Sequence, residues 1–244
     1  MNKHLKKLMA TGFASGAIAL GSMVLSSTSA LAFETAAKYA ILVDQQTGRV
    51  LLEKDADTAM APASMSKLMT VLMLFERLGD GSLSMDDTFP VSEKAWRMGG
   101  SKMFVGVNTR VPVKDLLRGI VVQSGNDACI VVAEGLASSE AAFADQMTAR
   151  GKEIGLENSI FANATGWPDP GQRMSTRDLV SVAKQLIEKF PQYYPIFAEK
   201  TFTYNGIRQG NRNPLLYRYD GADGLKTGHT EESGYGLVSS ATRK

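Results

Sequence analysis

The sequence predicts a mixed α/β fold, built as one unit behind an export leader, and three observations lead there. Short apolar runs with turn residues between them stand near both ends of the chain. Helical spacing dominates the middle. No linker, internal repeat or low-complexity tract divides the chain after residue 32, so strands at both ends belong to one body only if the chain returns on itself with helices packed around an antiparallel sheet. Composition agrees: of 244 residues, 44% are apolar and 21% charged, which excludes a disordered or collagen-like chain. A single Cys excludes a disulfide framework or a Cys-based metal site.

The first element is the leader. Lys3, His4, Lys6 and Lys7 make a basic start, a mostly apolar stretch follows over 8–25, and Ala30-Leu31-Ala32 has the small-x-small pattern read by signal peptidase. Residues 1–32 are expected to be a signal peptide. The alternative, an uncleaved membrane helix, is disfavoured because Thr11, Gly12, Ser15, Gly16, Gly21 and Ser22 dilute the stretch and no basic stop follows. Removing the leader takes three lysines and no acid, so the formal charge of +2 becomes a near-neutral body, which argues against a nucleic-acid partner. An exported chain works in an oxidising compartment, where a lone Cys129 reads as a small buried hydrophobe.

Next comes a hairpin, with apolar-rich runs at 39–44 and 49–54 around Gln45-Gln46-Thr47-Gly48. From Ser64 the period changes: Leu68, Val71, Leu72, Phe75 and Leu78 share a helical stripe that Gly79-Asp80-Gly81 ends. Helices are also predicted over 115–120, 127–136, 140–154 and 177–190, the last behind the capping pattern Ser175-Thr176-Arg177-Asp178 and ahead of Pro191. Two strands, 224–230 and 235–242, close the sequence around Glu231-Glu232-Ser233-Gly234.

Three short motifs stand on these elements. Ser64-Met65-Ser66-Lys67 puts a hydroxyl and an amine at i and i+3, one turn apart on one helix face. No carboxylate stands three or four residues from Lys67, and burial without a counter-ion lowers an amine's pKa, so a neutral Lys67 could activate Ser64 as a nucleophile. Ser124-Gly125-Asn126 sets a hydroxyl and a carboxamide in a turn before a helix. Lys226-Thr227-Gly228 places a cation, a hydroxyl and a glycine on a strand, the glycine leaving room for a ligand backbone laid along it. Each alone also fits a bland reading: an N-cap serine with a surface lysine, a helix cap, a bulge at a sheet edge. Their occurrence together, in this order and with 60 residues between Ser64 and Ser124 and 102 between Ser124 and Lys226, is far more specific.

With these motifs the chain closely resembles the low-molecular-mass penicillin-binding proteins that are serine-type D-alanyl-D-alanine carboxypeptidases of peptidase family S11, which share the active-site-serine fold of class A β-lactamases. The longer strings agree: 62–70, 123–128, 211–213 and 223–230. The resemblance implies a serine β-lactamase/D,D-carboxypeptidase-like fold, an antiparallel sheet flanked by helices with an all-helical subdomain. It implies that Ser64 attacks the carbonyl between the terminal D-Ala residues of a peptidoglycan stem peptide, with Lys67 as base. Ser124 would relay a proton to the departing D-Ala, Asn126 would orient Lys67 and the substrate amide, and Lys226 and Thr227, with help from Arg212, would hold the substrate carboxylate. The oxyanion would sit between the backbone N–H groups of Ser64 and His229. The charge of Lys226 would also help keep Lys67 neutral. β-Lactams would be covalent inhibitors, and neither metal nor cofactor is implied.

Rival readings are a class A-like β-lactamase, for which Glu153 and Glu157 are the available carboxylates but lack a convincing loop context, a penicillin-binding or cell-wall-binding protein without turnover, and an endopeptidase. Against the family pattern the sequence stops directly after the strand over 235–242. A further strand and long helix are expected to be missing, with any membrane contact left to a C-terminal anchor absent from this chain. Residues 33–244 are thus expected to be a truncated catalytic domain.

Overall fold

Glycines, alternating apolar residues and two strongly buried helices shape the protein, whose computed structural model describes residues 34–243. The leader reading over 1–32 lies outside the described residues. The first hairpin pairs β1 (Ala40–Val43) with β2 (Val50–Lys54), and Gly48, at φ +71°, makes its turn. A one-turn 3₁₀ helix, Ala63–Ser66, leads into α1 (Lys67–Gly79), so Ser64 precedes the α-helix proper. β3 (Thr88–Pro90) and α2 (Glu93–Arg97) follow, then β4 (Arg110–Pro112), which pairs with β3. α3 (Val113–Val121), α4 (Asn126–Ala137), α5 (Glu140–Glu153) and α6 (Thr176–Lys189) form the helical middle. A 3₁₀ segment, Tyr194–Ala198, leads to the hairpin of β5 (Thr201–Tyr204) and β6 (Ile207–Gly210). The short α7 (Leu215–Arg218) then precedes β7 (Ala222–Thr230) and β8 (Gly234–Ala241), paired with Lys226 opposite Val238.

The five longer helices and two terminal hairpins expected from periodicity are all present, with ends shifted by one or two residues. The cap at Ser175 is made as its residues predict: the Ser175 hydroxyl accepts the Asp178 N–H at 3.1 Å. The sequence reading omitted β3 to β6 and the short helices.

The terminal hairpins do not pair with each other, and among the described residues each of the four sheets is two-stranded. Residues Lys38–Ile41 of the first hairpin and Leu237–Ser239 of the last instead face a common cavity of about 1290 Å³.

The core lies around α1 and α4. Along α1 nine of thirteen residues are buried, including Leu68, Leu72 and Phe75, and the first eight residues of α4 are buried too. A helix apolar on every side is an interior helix. Phe75 anchors an aromatic cluster with Phe190, Tyr193 and Phe197, at centroid separations of 5.8, 5.3 and 6.2 Å in tilted or edge-on geometries. Such packing fixes the N-terminal ends of both helices, where two of the three motifs stand.

Candidate active site

Ser64 lies in the 3₁₀ turn, where side chains at i and i+3 eclipse. The Lys67 amine therefore sits over the Ser64 hydroxyl, Nζ to Oγ 2.9 Å. Lys67 is fully buried and has two other partners, Asn126 Oδ1 at 2.7 Å and the Thr165 carbonyl. Both of these are pure acceptors. With the amine protonated, Lys67 Nζ donates to Ser64 Oγ; in its neutral form the amine has two N–H bonds for the two carbonyl oxygens and one lone pair to face the Ser64 O–H. Among the described residues no acidic side chain pairs with the amine.

Burial is the main cause that lowers the Lys67 pKa, to about 8 from 10.5; the positive charge of Arg212 adds to it and Asp127 opposes it. The neighbouring Cys129 thiol is pushed up to about 12 by burial, so it stays uncharged and inert.

The other motifs meet this pair from opposite sides. Lys226 Nζ donates to Ser124 Oγ at 2.9 Å and to the Thr227 carbonyl at 3.0 Å. Lys226 is itself buried, and its amine is held well below the ordinary lysine range, first by burial and then by Lys67 and Arg212. The two buried amines each disfavour the other's charge, and the exposed Arg212 is a further positive charge that lowers the pKa of both. Ser64, Ser124, Arg212, Thr227 and His229 line one cavity, with Arg212 Nη1 held by Ser101 Oγ at 2.7 Å.

Gly228 has a packing role. A Cβ there would lie 3.1 Å from Met65 Cγ and from the Pro62 carbonyl, and 3.2 Å from Ala63 Cβ. The missing side chain lets β7 lie against the turn that carries Ser64, and Gly228 also lines the cavity. Glu153 and Glu157 are not at the site: Glu153 pairs with Arg150 at 2.8 Å on another face and neither lines the cavity, whose carboxylate is Glu232, paired with Arg173 at 3.2 Å.

Sequence reasoning missed three contributors. The Thr165 carbonyl is a main-chain atom and has no residue signature. Gly166, at φ +76°, lets that carbonyl's loop pass beside Ala63. The third is Asp127, which the sequence marks only as the first residue of the helix predicted over 127–136.

A serine hydroxyl facing the lone pair of a buried amine can act in acyl transfer without a histidine, and antiparallel hairpins around interior helices complete a β-lactamase-like fold. The chain belongs to peptidase family S11, D-alanyl-D-alanine carboxypeptidase, whose family model matches residues 25–244. It is 41% identical over 209 residues to D-alanyl-D-alanine carboxypeptidase DacA of Escherichia coli K12, covering 83% of this chain and 52% of that protein. The crystal structure of D-alanyl-D-alanine carboxypeptidase DacD from Francisella tularensis superposes with a TM-score of 0.85 at 33% identity, over 87% of this chain and 64% of that one. Penicillin binding protein 5 from Haemophilus influenzae gives a TM-score of 0.83 at 38% identity, over 86% and 62%. The chain thus spans about half the length of the E. coli protein it matches.

Proposed function

We propose that this chain carries the catalytic region of a serine-type D-alanyl-D-alanine carboxypeptidase, which removes the terminal D-Ala from peptidoglycan stem pentapeptides and is acylated by penicillin. The observation that carries the reading is the environment of Lys67: two carbonyl acceptors, no counter-ion, and the Ser64 hydroxyl at 2.9 Å.

Lys67 takes the Ser64 proton as Oγ attacks the carbonyl carbon of the penultimate residue. The tetrahedral oxyanion is stabilised by the backbone N–H groups of Ser64 and His229. The C–N bond then breaks as the proton held by Lys67 passes by way of the Ser124 hydroxyl, which is linked to Lys226, to the departing D-Ala nitrogen; Lys67 is neutral again and the acyl group stays on Ser64 as an ester. Asn126 holds Lys67 in aim and offers its carboxamide to the substrate amide. Thr227, Lys226 and Arg212 receive the terminal carboxylate. Water cleaves the ester and returns the Ser64 proton. The relatives' names, D-alanyl-D-alanine carboxypeptidase and penicillin binding protein, support substrate and inhibitor alike.

The basic, apolar and small-x-small succession over 1–32 supports export, with residues 33–244 as the catalytic domain acting at the cell wall, in the periplasm or on the outer face of the cytoplasmic membrane. Among the described residues no helix is long and apolar enough to cross a membrane. The test is direct: incubate the protein with labelled penicillin, map the adduct by mass spectrometry, and measure free D-Ala released from a pentapeptide. An adduct on Ser64 that is lost in Ser64→Ala, with D-Ala release, is expected; labelling elsewhere or none would overturn the reading.

A further inference from the structure

The carboxylate of Asp127 is fully buried, has no ion-pair partner among the described residues, and accepts four backbone N–H groups. Oδ1 takes those of Met103 and Ala128, each at 2.9 Å, and Oδ2 takes those of Phe104 at 2.9 Å and Val105 at 3.2 Å. One side chain at the start of α4 thereby grips three consecutive amides of the segment between α2 and β4. Four charge-assisted bonds are a strong clamp.

The gripped segment touches the site twice. The Gly99 carbonyl accepts Asn126 Nδ2 at 2.9 Å and the Ser101 carbonyl accepts the Asn126 N–H at 2.7 Å. A carboxamide whose N–H₂ is held by Gly99 must turn its oxygen the other way, toward Lys67 Nζ at 2.7 Å. Ser101 Oγ, on the same segment, holds Arg212. The chain of contact runs from Asp127 to the 99–105 segment, from Gly99 to the Asn126 amide, and from the Asn126 oxygen to a Lys67 N–H, which sets how the amine faces Ser64.

We propose that Asp127 is a positioning residue: by clamping the segment 99–105 it fixes the orientation of the Asn126 carboxamide and, through it, the aim of Lys67 at Ser64. This rests on the catalytic reading above. Asp127 touches no reacting atom; it acts as a supporting carboxylate behind a ligating group does in other sites, where misplacement costs about 10- to 100-fold.

Asp127→Asn keeps the volume but turns an N–H₂ toward backbone N–H groups, so two of the four bonds become repulsive. Acylation by penicillin is expected to slow about 10- to 100-fold. A loss of general stability would slow every background equally, whereas action through Asn126 predicts that Asp127→Asn adds less than about 2-fold on top of Asn126→Ala. A wild-type protein that takes no penicillin would overturn the catalytic reading. A labelled wild type whose Asp127→Asn variant acylates at the wild-type rate, or slows equally in both backgrounds, would overturn the positioning role. Should Asp127→Asn not fold, two measurements replace it. In the wild type the Phe104 amide is expected to exchange slowly although its side chain is 47% exposed. Gly100→Ala, whose Cβ would lie 2.8 Å from Asn126 Nδ2, is expected to slow acylation with the same dependence on Asn126. Fast exchange, or an unslowed Gly100→Ala, overturns the proposal.

Discussion

Gly166 passes so close to Ala63 that a Cβ on it would lie 1.9 Å from the Ala63 carbonyl oxygen and 2.6 Å from Ser66 Oγ. Its φ of +76° is one that other residues rarely adopt. The Lys67 acceptor at Thr165 and the backbone beside Ser64 are joined at this contact.

Gly166→Ala therefore meets main-chain atoms that cannot yield, plus an unfavourable φ. A loss of at least about 3 kcal/mol is expected, or about 6 °C or more in melting temperature for a domain of this size. Penicillin acylation should fall with it, because the Thr165 carbonyl must move. A variant melting within about 2 °C of wild type would contradict the close approach.

Acylation should rise with pH through a midpoint near about 8, because Lys67 works only when unprotonated and burial lowers its pKa to that range. Below the midpoint the rate should drop about tenfold per pH unit. Arg212→Ala removes a positive charge that helps depress the Lys67 pKa, so its midpoint should move upward. The same depression sets a stability trend: as pH falls from 10.5 toward 8 the unfolded lysine gains a proton that the folded one resists, so this group's contribution to stability declines over that window and levels off below it. A rate profile flat from pH 6 to 10 would rule out Lys67 as the titrating base.

Asn213 is buried and joins two segments of the site. Its Nδ2 donates to the Gly224 carbonyl at 2.6 Å while its Oδ1 accepts the Leu215 N–H at 3.0 Å. It thus ties the neighbour of Arg212 to the strand bearing Lys226. Asn213→Ala takes this acceptor from the Leu215 N–H and leaves the Gly224 carbonyl with the Ser239 hydroxyl alone, and should cost about 1–3 kcal/mol. With Arg212 loosened, KM for the pentapeptide should rise more than kcat falls. A rise in neither, with unchanged melting, would refute the link.

What the sequence disclosed follows from range. Ser64 and Lys67 are three residues apart, and the helix period of Leu68, Val71, Leu72 and Phe75 places them together without any tertiary information. The 201–210 hairpin was equally local, since Thr201–Tyr204 alternates and Asn205-Gly206 supplies two positive φ values, yet that turn signal went unread. β3 and β4 have three residues each and pair across some twenty positions, so neither has enough pattern to be seen alone. At the site, side-chain motifs announced themselves, whereas the Thr165 carbonyl, the Gly166 approach and the Asp127 clamp depend on contacts 98, about 100 and over 20 residues distant. An acid in the first turn of a helix is ordinary, so nothing local in the sequence marks the reach of Asp127 toward Phe104.

Ser124 offers a case where stability and activity should separate. It is a non-glycine residue at φ +59°, a strained conformation held where its hydroxyl meets Lys226 Nζ at 2.9 Å. Ser124→Ala and Ser124→Gly remove the same hydroxyl, leave the same buried amine short of a partner, and should slow D-Ala release alike. Only the glycine relieves the backbone, by about 1 kcal/mol. Ser124→Gly should therefore melt about 2–4 °C above Ser124→Ala, with matching rates of release. Ser124 is buried, so the Cβ that the glycine also removes offsets part of that gain. If Ser124→Ala melts higher, the left-handed geometry at Ser124 is wrong; if the two differ widely in rate, the hydroxyl is not what the reaction loses.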